Sequence, residues 1–192
     1  MSLTDTAHTL LYQRYLLIKG ISYRITEIEF YINSENHKDP YVHQQAEQKT
    51  CGNWYFHRYS NGTYKNGTWK GFDLTLGNES TYFGVLIRGI YSDESGHIEG
   101  PCRVVNHILK CYECESIDEF TNNDLLSSTN NKHSLILVDR NKDIFDDNNV
   151  YHGPRVGLNK TKDSYWSEVK YRYTLWGHYL PKKERSNLIK II

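Results

Sequence analysis

Apolar and polar positions alternate most clearly in "ITEIEFYI", residues 25–32. A strand repeats every two residues. Ile28, Phe30 and Ile32 therefore share one face, and Glu27, Glu29 and Tyr31 share the other. Lys19-Gly20 supplies a turn before a strand over 21–32. "YFGVLIRGIY", 82–91, is apolar enough for a buried strand. "SLILVD", 134–139, "VYHGPRVGL", 150–158, and "EVKYRYTLW", 168–176, read as further strands. Residues 51–77 are rich in Gly, Asn and aromatics, which predicts short strands joined by turns at Asn61-Gly62 and Asn66-Gly67.

Helical patterning is scarcer. Residues 4–17 carry Leu10, Leu11 and Leu17, with Thr4 or Asp5 available as a cap, and around Tyr15–Ile18 the pattern fits a strand equally well. "GPCRVVNHIL", 100–109, puts Pro in a first turn and keeps Val104, Val105 and Ile108 apolar, which predicts a helix. A short helical run is expected near His43–Gln48, and the basic tail 181–192 also reads as helical. Residues 110–150 are acidic and Asn-rich. No internal repeat interrupts the pattern. The elements predict one α+β domain over 1–192: a curved, mostly antiparallel sheet, roll or open-barrel like, flanked by a few helices.

Composition narrows the partners. Only 38% of the 192 residues are apolar and mean hydropathy is −0.69, so the core is modest and the surface polar. Sixteen tyrosines suit strands and also suit stacking on flat ligands. Net charge is zero, so any grip on nucleic acid must come from a local basic patch. No segment is long and apolar enough to span a membrane. The N-terminus lacks a basic stretch followed by an apolar one, which predicts a cytoplasmic chain. The sequons at Asn61, Asn66, Asn78 and Asn159 are then chance occurrences in an Asn-rich sequence. Four cysteines in this length do not make a disulfide scaffold.

Candidate chemistry falls into four groups. Cys111-x-x-Cys114 has metal or redox spacing, but a structural zinc needs a second close pair, and Cys102 and His107 lack that rhythm. Asp39, His43 and His57 follow no HxH or HExxH pattern, so no metal is expected. Arg58, Lys65 and Lys70 alternate with Trp54, Tyr55, Phe56, Tyr59, Tyr64 and Trp69 without an intervening acid. That interleaving suits single-strand backbone tracking with base stacking, or equally a solvated β surface. Glu29 and Tyr31, roughly 7 Å apart along a strand face, suit a carboxylate working at the edge of a flat group held by a ring. The plain alternative is a solvated strand face. Glu27 is read as lying toward the strand's wetter end.

Several stretches together resemble the alkyladenine (3-methyladenine) DNA glycosylase family. Its Glu-x-Tyr motif reads Glu29-Phe30-Tyr31, and its Asp-x-x-x-His reads Asp39-Pro40-Tyr41-Val42-His43. "VLIR" ends at Arg88 where the family has Val-Leu-Leu-Arg, and Gly100-Pro101 follows. Pro154-Arg155-Val156-Gly157-Leu158, Trp166 and Arg172 match its C-terminal pattern. Five motifs stand in the family's order over about residues 10–175.

The resemblance implies a mechanism. A damaged purine is flipped out of the duplex. Tyr31 stacks on it, His43 contacts it, and Glu29 activates a water that Arg88 and the Leu158 carbonyl position. No cofactor, metal or lysine nucleophile is implied. The partner is DNA or a purine nucleoside-containing ligand, and the chain is expected to act as a monomer. Residues 61–78 depart from the family. Lys70-Gly71 stands where Tyr-Gly is expected, Asp73 stands for a pocket-lining Asn, and Trp69, Tyr64 or Phe72 is left to supply the wedge. With Arg58, Lys70, Arg155 and Arg172, these three aromatics form the expected nucleic-acid contacts. A catalytically silent nucleic-acid or nucleotide binding module on the same fold is the second reading. A third is an interaction protein whose acidic stretch 113–147 meets a partner.

Overall fold

A computed structural model of the chain describes residues 2–122, 135–139, 150–175 and 187–191. The described residues form an α+β fold with an open, mostly antiparallel sheet and a few short helices. Its main hydrogen-bonded strand order is β11-β9-β10-β2-β6-β5-β4. These strands are β2 (Ile21–Ser34), β4 (Cys51–Phe56), β5 (Phe72–Leu76), β6 (Tyr82–Ser92), β9 (Val150–Gly153), β10 (Arg172–Thr174) and β11 (Ile189–Ile191). Packing separates two compact units. The first gathers the described residues of Met1–Ile25, Phe56–Asp73 and Ile87–Asp143, and the second those of Thr26–Tyr55, Leu74–Leu86 and Ile144–Ile192. Strands β2, β4, β5 and β6 each contribute residues to both.

The first unit opens on helix α1 (Leu3–His8). Ser2 caps it, and Asp5 returns a bond to the Ser2 N–H, so two otherwise unpaired donors are satisfied. The helix passes through a π turn into strand β1 (Arg14–Ile18), so the ambiguous stretch at Tyr15–Ile18 is a strand. Lys19 and Gly20 both take positive φ, 46° and 84°, the geometry a two-residue hairpin needs to match strand twist. That hairpin pairs Ile18 with Ile21. Strand β8 (Ile136–Asp139) adds to the other edge of β1, and β7 (Gly96–Glu99) pairs with the end of β6.

Helix α2 (Pro101–Cys111) begins as the Gly-Pro pair predicts. Gly100 takes φ 98°, open to glycine, and its N–H donates to the Arg88 carbonyl at 2.7 Å. Val104, Val105, Ile108 and Leu109 form its buried stripe. Phe56 stacks on Phe72 with centroids 5.5 Å apart and meets Phe120, on α3 (Ile117–Asn122), edge-on at 5.6 Å.

The second unit is built on the 26–34 part of β2. Phe30 packs edge-on against Tyr173 at 5.4 Å and Phe83 at 5.9 Å. Strand β3 (His37–Lys38) folds back on the end of β2, and a 3₁₀ turn covers Ala46–Lys49, shorter than the expected helical run. Three expectations give way here. The 150–158 strand ends at Gly153, leaving 154–158 as a loop. Asp163 caps helix α4 (Ser164–Glu168), so the 168–176 strand shrinks to β10. The tail contributes strand β11, with Ile189 opposite His152, rather than a helix at that point. Gly153 is required where β9 nears Asn187, whose carbonyl oxygen would sit 2.7 Å from a Cβ. Most of the acidic stretch 113–147, and residues 181–186 of the tail, lie outside the described residues.

Candidate functional site

Tyr23 through Phe30 are all buried, so β2 is covered on both faces. That removes the solvated-face explanation for its acids. Glu29 is fully buried. Its Oε1 accepts from the Val156 N–H at 2.7 Å, and its Oε2 accepts from the Tyr31 hydroxyl at 2.9 Å. The strand period puts Glu29 and Tyr31 on one face, and the phenol reaches back to the carboxylate instead of standing apart from it.

The loop that delivers Val156 is anchored by its neighbour. Arg155 is 4% exposed, and its Nη1 donates to Asp39 Oδ2 at 2.6 Å and to the Phe30 carbonyl at 3.0 Å. Its Nη2 donates to the Trp166 carbonyl at 3.0 Å. The guanidinium lies over the rings of Tyr31, Tyr41 and Tyr171 at 4.5, 5.5 and 5.6 Å. Asp39 Oδ1 in turn accepts from the Tyr41 N–H, and the Tyr41 hydroxyl donates to the Asn159 and Asp163 carbonyls. His37 stacks on Tyr171 and tilts against Trp166, and burial first, then Arg155, pushes its pKa down against the pull of Asp39. Burial likewise raises the Tyr171 hydroxyl.

Four stretches far apart in sequence therefore meet in the second unit: Glu29–Tyr31, Asp39–His43, Pro154–Leu158 and Trp166–Arg172. Glu27 corrects one expectation. It is 1% exposed, and Arg172 Nε donates to its Oε1 at 2.7 Å. Arg172 stands opposite Glu29 across the β2–β10 pair, so its side chain shares the face of both acids. Arg155 and Arg172, expected as nucleic-acid contacts, are instead buried with their charge committed to Asp39 and Glu27.

Leu158 is half-buried and helps line a cavity of about 400 Å³ with Val156, Lys160, Glu168, Arg172 and Leu188. Glu29 and Tyr31 do not face that cavity. His43 is half-buried, with Nδ1 3.1 Å from the Tyr55 hydroxyl.

No protein-family profile matches the chain. An uncharacterized protein of Acanthamoeba polyphaga mimivirus is 39% identical to it over 194 residues, spanning 94% of this chain and 88% of that protein. The chain belongs to the family of that mimivirus protein.

The remaining candidates of this family member lie in the first unit. Arg88 sits in β6, 9% exposed, in the portion whose Arg88 carbonyl anchors α2. Asp73 is buried and lies 2.8 Å from His57 Nε2. Lys65 is half-buried, and burial lowers its pKa against the raising effect of Asp73. Arg58 Nη2 donates to the Tyr64 hydroxyl at 2.9 Å and lies over the same ring, closing the turn at Asn61-Gly62. Lys70 Nζ donates to Asn106 Oδ1 at 2.7 Å. Trp69 is 71% exposed and Tyr59 38%. Phe72 is a correction: it is fully buried on Phe56 and is a core residue, not a surface wedge.

Among the described residues no group of three or more His, Cys, Asp or Glu side chains is placed to hold a metal, and no helix is long and apolar enough to cross a membrane. The long-range partners of Glu29 and Asp39 escaped the sequence reading. Neither Val156 nor Arg155 carries a local signal for a contact more than a hundred residues away.

Proposed function

We propose that the protein is a monofunctional N-glycosyl hydrolase acting on a damaged or unusual purine in DNA or in a nucleoside. The observation that carries this reading is the Glu29 carboxylate, buried in a central strand and held by a main-chain N–H from the 154–158 loop. A carboxylate accepts about four hydrogen bonds.

In this reading Glu29 takes a proton from a water that attacks the sugar C1′, and its charge stabilises the sugar cation of the transition state. The Leu158 carbonyl helps hold the water. His43 contacts the base. Tyr31 offers a ring, one face of which already carries the Arg155 guanidinium. The 400 Å³ cavity is not used as the base site, because Glu29 does not face it. Reaction by hydrolysis alone leaves an abasic site without strand cleavage. The experiment is chromatographic detection of free purine from alkylated DNA and from purine nucleosides, with wild type and Glu29→Gln compared.

A second reading, a binding module without turnover, draws on Trp69. An indole 71% exposed, in the same stretch of chain as exposed Tyr59 and as Arg58, Lys65 and Lys70, suits stacking on nucleic acid. Single-stranded DNA binding that weakens with salt and is unchanged in Glu29→Gln supports it. Salt-independent binding contradicts it.

A further inference from the structure

The sequence holds two Asn-Gly pairs, Asn61-Gly62 and Asn66-Gly67, both in the first unit and both exposed. After an asparagine, glycine lets its own main-chain nitrogen approach the side-chain amide closely, because no Cβ obstructs it. Attack of that nitrogen on the asparagine Cγ needs an N–H that is not held elsewhere and a side chain that can turn. A Cβ at either glycine would meet nothing within 4 Å, so crowding does not separate the two pairs. Hydrogen bonding does.

At Asn61-Gly62 the reacting groups are held. The Gly62 N–H donates to the Tyr59 carbonyl at 3.0 Å. Asn61 Oδ1 accepts from the Thr63 N–H at 3.1 Å and from the Thr63 hydroxyl at 2.8 Å, which locks the side chain into the turn. At Asn66-Gly67 the Gly67 N–H has no hydrogen-bond partner among the described residues. Asn66 is in extended backbone, and its Oδ1 accepts from the Tyr59 hydroxyl at 3.2 Å. The flanks are anchored. The Lys65 N–H donates to the His57 carbonyl at 2.8 Å, the Trp69 N–H to the Asn66 carbonyl at 3.1 Å, and the Cys102 thiol to the Gly67 carbonyl at 3.0 Å. The nitrogen between these anchors is the group left open.

We propose that Asn66 is a site of spontaneous deamidation in the folded chain, with the Gly67 nitrogen as nucleophile, and that Asn61 is protected from it. The Gly67 nitrogen bonds to Asn66 Cγ, and the Tyr59 hydroxyl donates to the oxygen on which charge develops. The Cγ–Nδ2 bond then breaks. The proton lost by the Gly67 nitrogen is made up on Nδ2, which leaves as ammonia, and a five-membered succinimide remains. Water opens this ring at either carbonyl and gives aspartate or isoaspartate. Either product sets a carboxylate next to Lys65, in a stretch with Arg58 and Lys70 and no acid from 57 to 70. Isoaspartate also adds a carbon to the main chain entering the Gly67–Trp69 turn, which carries the exposed Trp69. The change therefore falls in the stretch that the binding-module reading uses, and peptide mass reads it without recourse to either proposed function.

The test incubates the folded full chain at mildly alkaline pH and samples it over time. Cleavage after aromatic residues separates residues 60–64 from 65–69, so each peptide carries one Asn-Gly pair. Mass reads the conversion of amide to acid, and chromatography separates isoaspartate from aspartate. Asn66 should convert about tenfold or more faster than Asn61, whose pair must first give up several hydrogen bonds. In concentrated urea the two rates should converge. Tyr59→Phe should slow Asn66 in the folded chain. Equal rates in the folded chain, faster conversion at Asn61, a difference that persists in urea, or an unchanged rate in Tyr59→Phe overturns the proposal.

Discussion

The Val156 N–H donates to Glu29 Oε1 at 2.7 Å across 127 residues of sequence. This bond ties the central strand to a loop that Arg155, the adjacent residue, fixes through Asp39. The carboxylate is therefore held by backbone whose own position depends on a second buried acid. Disturbing Asp39 should be felt at Glu29.

Asp39 and Arg155 are fully enclosed as side chains. Asp39→Asn leaves a buried guanidinium without its counter-charge and should cost about 3–5 kcal/mol in urea unfolding. Replacing both, Asp39→Leu with Arg155→Met, should recover much of that loss, because the pair's attraction is offset by its desolvation. A single variant as stable as wild type would show that the pair is not closed.

His37 makes stability depend on pH. Its folded pKa lies below the unfolded value of about 6.5, chiefly through burial among Trp166 and Tyr171. The neutral ring's contribution is present above pH ~6.5 and is lost as pH falls through 6.5 toward the folded value. His107 and His152, also lowered by burial, act with the same sign. Thermal midpoints should fall between about pH 7.5 and 5.5, and less steeply in His37→Phe. An equal slope in that variant would contradict the assignment.

Phe72 and Trp69 should separate stability from surface function. Phe72→Ala opens the stack on Phe56 and should destabilise by about 3–5 kcal/mol. Trp69→Ala, at an exposed position, should change stability by less than about 0.5 kcal/mol. If the exposed aromatics grip nucleic acid, single-strand affinity in Trp69→Ala should drop by about 1–3 kcal/mol, read by fluorescence anisotropy.

The strand alternation of 25–32 and the Gly-Pro start of α2 were legible because each is a local rule. What covered the acidic face was not. Period two tells which residues share a face, and it says nothing of the second layer. Glu27 was therefore read as wet although Arg172 buries it. Arg155 and Arg172 looked like surface cations for the same reason. The strand expected over 168–176 narrows to Arg172–Thr174, because the helix that Asp163 caps runs on to Glu168.

The central claim is that Glu29 activates water for glycosidic cleavage. Its most direct test is single-turnover release of free purine from alkylated duplex, single-stranded and nucleoside substrates. Wild type should release base from at least one of them. Glu29→Gln, which keeps an oxygen for the Val156 N–H, should be slower by about 10²–10⁴-fold. Release by Glu29→Gln at the wild-type rate, or none by wild type on any substrate, would contradict the account.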